Sequence, residues 1–323
     1  MKAIIVSQPG GPENMQLADV PLPEPGPKQA RVRIAASGVN FIDVYHRTGL
    51  YKVDMPAVLG AEGAGTVDAV GSDVTEVAPG DRVVYAMARG SYAEYAVVPA
   101  AQLIKLPDGV DFQTAAAAML QGMTAHYVTR STFALKSGDT CLIHAAAGGT
   151  GGLAVQMAKM AGARVLGTVS NEEKARIARE AGADEIIFYT SQDFEAETKR
   201  LTSGRGVDVV YDSVGKSTFE KSLNSLRPRG MLVSFGQSSG AIPPFELHTL
   251  NVKGSLFVTR PSLAHHVLTR EELLWRAGDV LSWIASGKLK LRIDRVYPLA
   301  EAGQAHRDLE GRKTTGKLIL SVS

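Results

Sequence analysis

"HAAAGGTGG", residues 144–152, places three alanines and four glycines in nine positions directly after the apolar run Thr140, Cys141, Leu142, Ile143. A flexible joint and a ligand cradle have similar compositions, so the neighbouring residues must decide between them. The run before it reads as a buried strand, and the residues after it predict a helix over 153–161. Strand, glycine-rich turn and helix N-terminus together form the arrangement that receives a dinucleotide pyrophosphate. Glycine lets the backbone approach closely, and the first N–H groups of the helix carry partial positive charge. The spacing is Ala145-x-x-Gly148-x-x-Gly151, with alanine where the first glycine of the usual pattern falls. Gly148, Gly149, Thr150 and Gly151 are the expected contacts of the pyrophosphate.

Outward from this turn, apolar runs at residues 141–145, 163–169, 185–188, 207–211, 230–235 and 254–258 alternate with helical segments. Near-continuous apolar strands separated by helices predict an α/β, Rossmann doubly wound parallel sheet covered on both faces. Upstream, to about Leu120, the chain is punctuated by Pro21-Leu22-Pro23-Glu24-Pro25-Gly26-Pro27, Pro79-Gly80-Asp81 and Pro107-Asp108-Gly109. The alternating runs between them, such as residues 30–34 and 65–70, predict a compact, β-rich domain. The tail reads as an amphipathic helix at 271–287 and strands near 295–297 and 316–322, with a polar alternation like that of the first part. The expected division is therefore 1–122 and 266–323 as one domain, with the Rossmann domain at 123–265.

The end of the second Rossmann strand bears on which dinucleotide binds. A carboxylate there would hold the ribose 2′-hydroxyl of NAD, whereas the sequence reads Thr168-Val169-Ser170-Asn171-Glu172-Glu173-Lys174 and its acidic residues arrive late. Ser170 with Glu173 matches a capping box and Glu172 with Arg176 an i, i+4 pair, so one reading is a well-started surface helix. The other places Ser170 and Lys174 on a 2′-phosphate. At about 1.5–3 kcal/mol per charge-assisted hydrogen bond, one or two such contacts favour NADPH by roughly ten-fold to several hundred-fold. NADPH is the expected cofactor.

Composition excludes several alternatives. The 323 residues suit two domains, and 45% hydrophobic with 21% charged residues is ordinary for a globular protein. A formal net charge of +2, with the basic residues spread along the chain, gives no footprint for nucleic acid. No run of about 20 apolar residues predicts a membrane helix, and the apolar start breaks at Pro9-Gly10-Gly11-Pro12 before it reaches the length of a signal segment. Cys141 is the one cysteine, which forbids an internal disulfide and points to a reducing compartment, the cytoplasm.

Seven stretches carry a resemblance. They are "AASGVNFIDVYHRTGLY" (35–51), "LGAEGAGTVDAVG" (59–71), "GDRVVY" (80–85), the glycine turn itself, "VVYDSVG" (209–215), "MLVSFGQSSG" (231–240) and "GSLFVTRPSL" (254–263). With them the chain resembles, over almost its whole length, the zinc-free quinone oxidoreductases related to zeta-crystallin, within the medium-chain dehydrogenase/reductase superfamily. The resemblance implies a GroES-like catalytic domain beside the Rossmann domain, with NADPH in the cleft between them. It also implies a homodimer formed through the last Rossmann strand near Leu256-Phe257-Val258. Asn40, Tyr45 and Tyr51 would lie beside the nicotinamide, their amide and phenol groups donating to a substrate carbonyl and the rings lying against a flat substrate. Further cofactor contacts would come from Thr124, Tyr189, Ser213, Phe235, Ser238, Phe257, Thr259 and Lys313. Zinc-dependent relatives carry Gly-His-Glu where this chain has Gly60-Ala61-Glu62, and a cysteine where it has Ser37-Gly38-Val39-Asn40. No metal site is expected.

Without a metal to stabilise an alkoxide, the chemistry that fits is delivery of reducing equivalents to a conjugated system, where the charge spreads. An NADPH-dependent quinone reductase is the leading expectation. The alternatives are a reductase of alkenes conjugated to a carbonyl, and an NADPH-binding protein with a structural or RNA-regulatory role. Asp43 reads as a local cap or a partner of Arg47, and His46 and His265-His266 as surface residues.

Overall fold

The computed structural model describes residues 1–322, which fall into two compact units: residues 1–123 with 267–322, and residues 124–266. The chain opens with β1 (Lys2–Val6), β2 (Met15–Asp19), β3 (Gln29–Val39), α1 (Phe41–Arg47), β4 (Ala57–Val58), β5 (Glu62–Val70), β6 (Arg82–Ala86), β7 (Tyr95–Pro99) and β8 (Ile104–Lys105). Helix α2 (Phe112–Tyr127) leads into the second unit. There follow β9 (Thr140–Ile143), α3 (Gly149–Met160), β10 (Arg164–Val169), α4 (Glu172–Glu180), β11 (Glu185–Phe188), α5 (Phe194–Leu201), β12 (Val207–Asp212), α6 (Phe219–Asn224), β13 (Leu226–Ser234), α7 (His248–Val252) and β14 (Phe257–Thr259). The tail adds α8 (Arg270–Ala285), β15 (Ile293–Pro298), α9 (Ala302–Glu310) and β16 (Lys317–Ser321) to the first unit.

The second unit is a six-stranded sheet in the order β11-β10-β9-β12-β13-β14, with every neighbouring pair parallel. Its direction of growth reverses between β9 and β12, which makes the carboxyl ends of those strands the topological switch point. All six residues of β12 are buried, as a strand covered on both faces requires. Leu142, Leu166, Ile187, Val210 and Leu232 from five strands meet Phe194, Phe219 and Leu223 in one core cluster.

The first unit carries a seven-stranded sheet, ordered β15-β16-β3-β5-β6-β8 with β7 also on β3, and a three-stranded sheet β2-β1-β4. Strand β16 runs antiparallel to β3, opposing Leu318 to Val39. Helix α8 starts with a capping box, Thr269 accepting from the Glu272 N–H. No helix among the described residues is long and apolar enough to cross a membrane.

Four local expectations change. Helix α3 begins at Gly149, because Gly148 takes the extended N-cap conformation (φ −78°, ψ 169°). The glycines thus form its first turn, whereas apolar periodicity starts only at Leu153. Strand β14 is shorter than its apolar run, since Gly254 (φ 111°) and Ser255 (φ 55°) are left-handed. Helix α4 is capped by Asn171, whose Oδ1 accepts from the Lys174 N–H at 2.9 Å, so the Ser170–Glu173 capping box does not form. Glu172 pairs with Arg179 rather than Arg176, which pairs with Glu180.

Candidate functional site

In the second unit the candidate residues gather at the carboxyl ends of the strands. After β9, the His144 N–H donates to Tyr211 O (3.1 Å) and the Ala146 N–H to Thr168 O (3.1 Å), while Ala145 turns the chain at φ 52°. Gly151 stands under this turn: a Cβ there would lie 2.1 Å from Ala145 O. No side chain caps the first turn of α3, so the N–H groups of Gly149, Thr150 and Gly151 face the position where an anion is bound at a helix N-terminus. Helices α4 and α8, by contrast, cap themselves with Asn171 and Thr269.

In the neighbouring strands Ser170 and Tyr189 follow the paired ends Val169 and Phe188, and Lys174 lies in the first turn of α4. The Tyr189 N–H donates to Val169 O (3.1 Å), the Thr190 hydroxyl donates to Ser170 O (3.0 Å), and Tyr189 is 41% exposed. On the other side of the switch point the Phe235 N–H donates to Asp212 O and the Ser238 N–H to Ser213 O (3.2 Å), which brings Ser213, Phe235 and Ser238 together. Thr259 ends β14 opposite Val233, whereas Phe257 lies two residues earlier, opposite Met231 and 56% exposed. Phe257 is thus set apart from the carboxyl-end group. Thr124 is buried in α2, and Lys313 is an exposed residue of the first unit, between α9 and β16. His266 stacks on Tyr127 at 4.4 Å between ring centroids, so it is no bare surface residue.

In the first unit Tyr45 and Tyr51 form an edge-to-face pair, 5.2 Å between centroids at 64°, because the Tyr51 N–H returns to Tyr45 O at the end of α1. Phe41 and His46 flank them at 6.2 and 6.1 Å. Asn40, the N-cap of α1, is buried, and both hydrogens of its amide are spent, on Gly38 O (3.1 Å) and on Glu62 Oε2 (2.8 Å). Its Oδ1 accepts from Lys317 Nζ at 2.6 Å. This corrects the donor role expected of Asn40: the side chain is anchored in a buried network and holds the start of α1.

That network was outside the sequence reading. Lys317 Nζ lies 2.6 Å from Glu62 Oε2, with the two side chains 2% and 0% exposed, and Glu62 Oε1 accepts from the Leu120 N–H. Burial pulls the lysine below its ordinary range against the opposing pull of Glu62. Asp43 accepts from the N–H groups of Asn40 and Ala61 and from the Tyr92 hydroxyl, and burial pushes its carboxyl up to about 7 against these donors. Asp43 caps α1 but does not pair with Arg47, which is bound in a fork to Glu310 at 2.8 and 2.9 Å. Arg47 also donates to His306 Nδ1, an imidazole that burial and the guanidinium hold down at about 3.

Two family models match the chain, one described as alcohol dehydrogenase GroES-like domain over residues 26–108 and one as zinc-binding dehydrogenase over residues 181–320. A quinone oxidoreductase of Pseudomonas aeruginosa is 48% identical over 96% of each chain, and a 2-haloacrylate reductase of a Burkholderia species is 43% identical over 98% of each. Among solved structures, the quinone oxidoreductase of Escherichia coli complexed with NADPH superposes with a TM-score of 0.98, at 44% identity over the whole of both chains. The residues present do not fit the zinc in the second model's description. Among the described residues no group of three or more His, Cys, Asp or Glu side chains is placed to hold a metal. Ala61 separates Gly60 from a Glu62 already committed to Lys317, and the Cys141 thiol is buried in β9, pushed well above its ordinary range by that burial.

Proposed function

The chain belongs to the quinone oxidoreductase family of the medium-chain dehydrogenases/reductases, and from that premise we propose that it is an NADPH-dependent reductase of quinones whose own residues act without a metal. The observation that carries this reading is the uncapped N-terminus of α3 over a glycine turn, in a chain that shares 44% of its residues with a structure holding NADPH. NADPH, when bound, supplies the reducing equivalents.

The second unit binds it. The N–H groups of Gly149, Thr150 and Gly151 receive the pyrophosphate, and Ser170, Lys174 and Tyr189 take the 2′-phosphate and the adenine edge. The group of Ser213, Phe235 and Ser238, with Thr259, borders the dinucleotide on the far side of the switch point. Thr124 is a further contact, and Phe257 belongs to the edge of the sheet. The first unit receives the quinone. The Tyr45 and Tyr51 rings offer a flat apolar face, and their hydroxyls donate to a carbonyl oxygen that gains charge during reduction. Asn40 keeps α1, and therefore Tyr45, in place.

The experiment is NADPH oxidation followed by absorbance with a 1,4-benzoquinone and with an enone. Wild type oxidises NADPH with the quinone. Lys174→Ala lowers the preference for NADPH over NADH by about tenfold, the loss of one charge-assisted contact. Absence of any NADPH oxidation with quinones overturns the reading, and an unchanged preference removes Lys174 from the 2′-phosphate. The likeness to the 2-haloacrylate reductase favours a second reading, reduction of an alkene conjugated to a carbonyl. That chemistry requires a proton at the neighbouring carbon, so enone turnover that Tyr45→Phe abolishes would establish it.

The edge strand β14 supports a homodimer. Phe257 is 56% exposed, and the nearby Leu247 and Val252 are 76% and 71% exposed, an apolar edge of the kind that a second chain covers. Light scattering at micromolar concentration should give twice the chain mass; the mass of one chain would remove this proposal. The single buried cysteine supports a cytoplasmic location.

A further inference from the structure

Directly before the cofactor turn, a chain of buried polar side chains crosses the switch point. His144, Thr168, Ser222 and Asp212 are 1%, 1%, 0% and 0% exposed. His144 Nδ1 is 3.1 Å from Thr168 Oγ1 and its Nε2 is 2.9 Å from Ser222 Oγ; the Ser222 hydroxyl donates to Asp212 Oδ2 at 3.3 Å. The direction of each bond follows from its partners. Asp212 is an acceptor for the Val214 and Gly215 N–H groups (2.7 and 3.0 Å) and for the Thr218 hydroxyl (2.7 Å). Ser222 therefore donates to it and accepts from His144 Nε2–H. Burial lowers the histidine below its ordinary range, so the imidazole is neutral and Nδ1 accepts from the Thr168 hydroxyl. The same Thr168 oxygen accepts from the Ala145 N–H at 3.3 Å.

The chain thus runs from the backbone of Ala145, through Thr168 of β10, His144 just after β9 and Ser222 of α6, to the carboxylate that shapes the turn at residues 212–215. One end holds a left-handed residue of the pyrophosphate turn, and the other lies beside Ser213. Serine, histidine and aspartate in this order resemble a hydrolytic triad, but a serine with no exposed surface cannot attack a substrate. An apolar core would fill the same space without the desolvation that four buried polar groups must offset. What the polar chain adds is direction, because each hydrogen bond admits one geometry.

We propose that the His144 relay is a positioning device for the cofactor, fixing Ala145 in its left-handed conformation and setting the spacing between the two turns that border the dinucleotide. It rests on the NADPH reading given above. NADPH binding to the purified protein, measured by calorimetry, separates the two ideas: a wild type that does not bind NADPH sinks the cofactor reading itself. Given binding by wild type, His144→Leu, which keeps the volume but no hydrogen bond, should weaken NADPH by about tenfold. His144→Gln restores a donor at the Nε2 position and should bind within about threefold of wild type. The loss should fall on the KM for NADPH, with the quinone KM unmoved. NADPH affinity unchanged in His144→Leu, or an equal loss in the leucine and glutamine variants, overturns the proposal. If His144→Leu does not fold, Ser222→Ala decides: it cuts the relay at its middle, and an NADPH affinity equal to that of wild type overturns the proposal in the same way.

Discussion

Lys317→Met lowers the stability of the first unit by about 3–5 kcal/mol, the range for removing one partner of a buried ion pair. Methionine fills the volume of the lysine stem, but it leaves the Glu62 carboxylate, with no exposed surface, facing only the N–H donors of Asn40 and Leu120. Asn40 also loses the ammonium that holds its Oδ1, so the start of α1 loosens with it. Both tryptophans of the chain, Trp275 and Trp283, lie on α8 in the first unit. Urea unfolding followed by tryptophan fluorescence therefore reads that unit. Adding Glu62→Gln to Lys317→Met removes the stranded charge and should recover part of the loss. A midpoint for Lys317→Met equal to that of wild type would show that the pair adds nothing.

The second large effect belongs to one glycine out of a cluster. Gly151→Ala puts a methyl 2.1 Å from the carbonyl oxygen and 2.9 Å from the carbonyl carbon of Ala145. Backbone atoms must move to admit it, and they are the atoms of the turn proposed to receive the pyrophosphate. Overpacking of this kind costs about 1–3 kcal/mol, which weakens NADPH by about 5- to 150-fold when the strain falls on the binding conformation. The neighbouring Gly152→Ala is the internal control. Its new methyl meets nothing nearer than Ala146 O at 3.6 Å, and alanine within a helix is worth about 0.5–1 kcal/mol over glycine. Gly152→Ala should therefore bind NADPH as wild type does and unfold at a slightly higher temperature. Equal NADPH affinities for the two variants would mean that close packing under Ala145 is not what the turn needs.

The parallel sheet is legible in the sequence because its strands are apolar on both faces, as the six buried residues of β12 illustrate. The glycine turn is legible because all its parts lie within a dozen residues. The anchors of the first unit are not. Asn40, Glu62 and Lys317 meet only when β3, β5 and β16 pair, and a lysine in "TGKLIL" carries no local sign of burial. The same holds for Asp43, Tyr92 and His306, joined through hydrogen bonds that span the unit. Asn40 shows the opposite error. Its motif is silent about which of its hydrogen bonds the fold has already used.

The placement of β16 has a consequence for how the chain is made. The lysine that neutralises Glu62 is 277 residues from Asn40, so a growing chain exposes the unfinished first sheet until β16 has been synthesised. The unit formed by residues 124–266 is continuous and is complete earlier. Once folded, it replaces most of that long loop with a rigid body, and the entropy of bringing the two ends together falls accordingly. Synthesis from the N-terminus therefore favours the unit of residues 124–266 as the first folded species, and the unit carrying Tyr45 and Tyr51 is assembled only after β16 has been made.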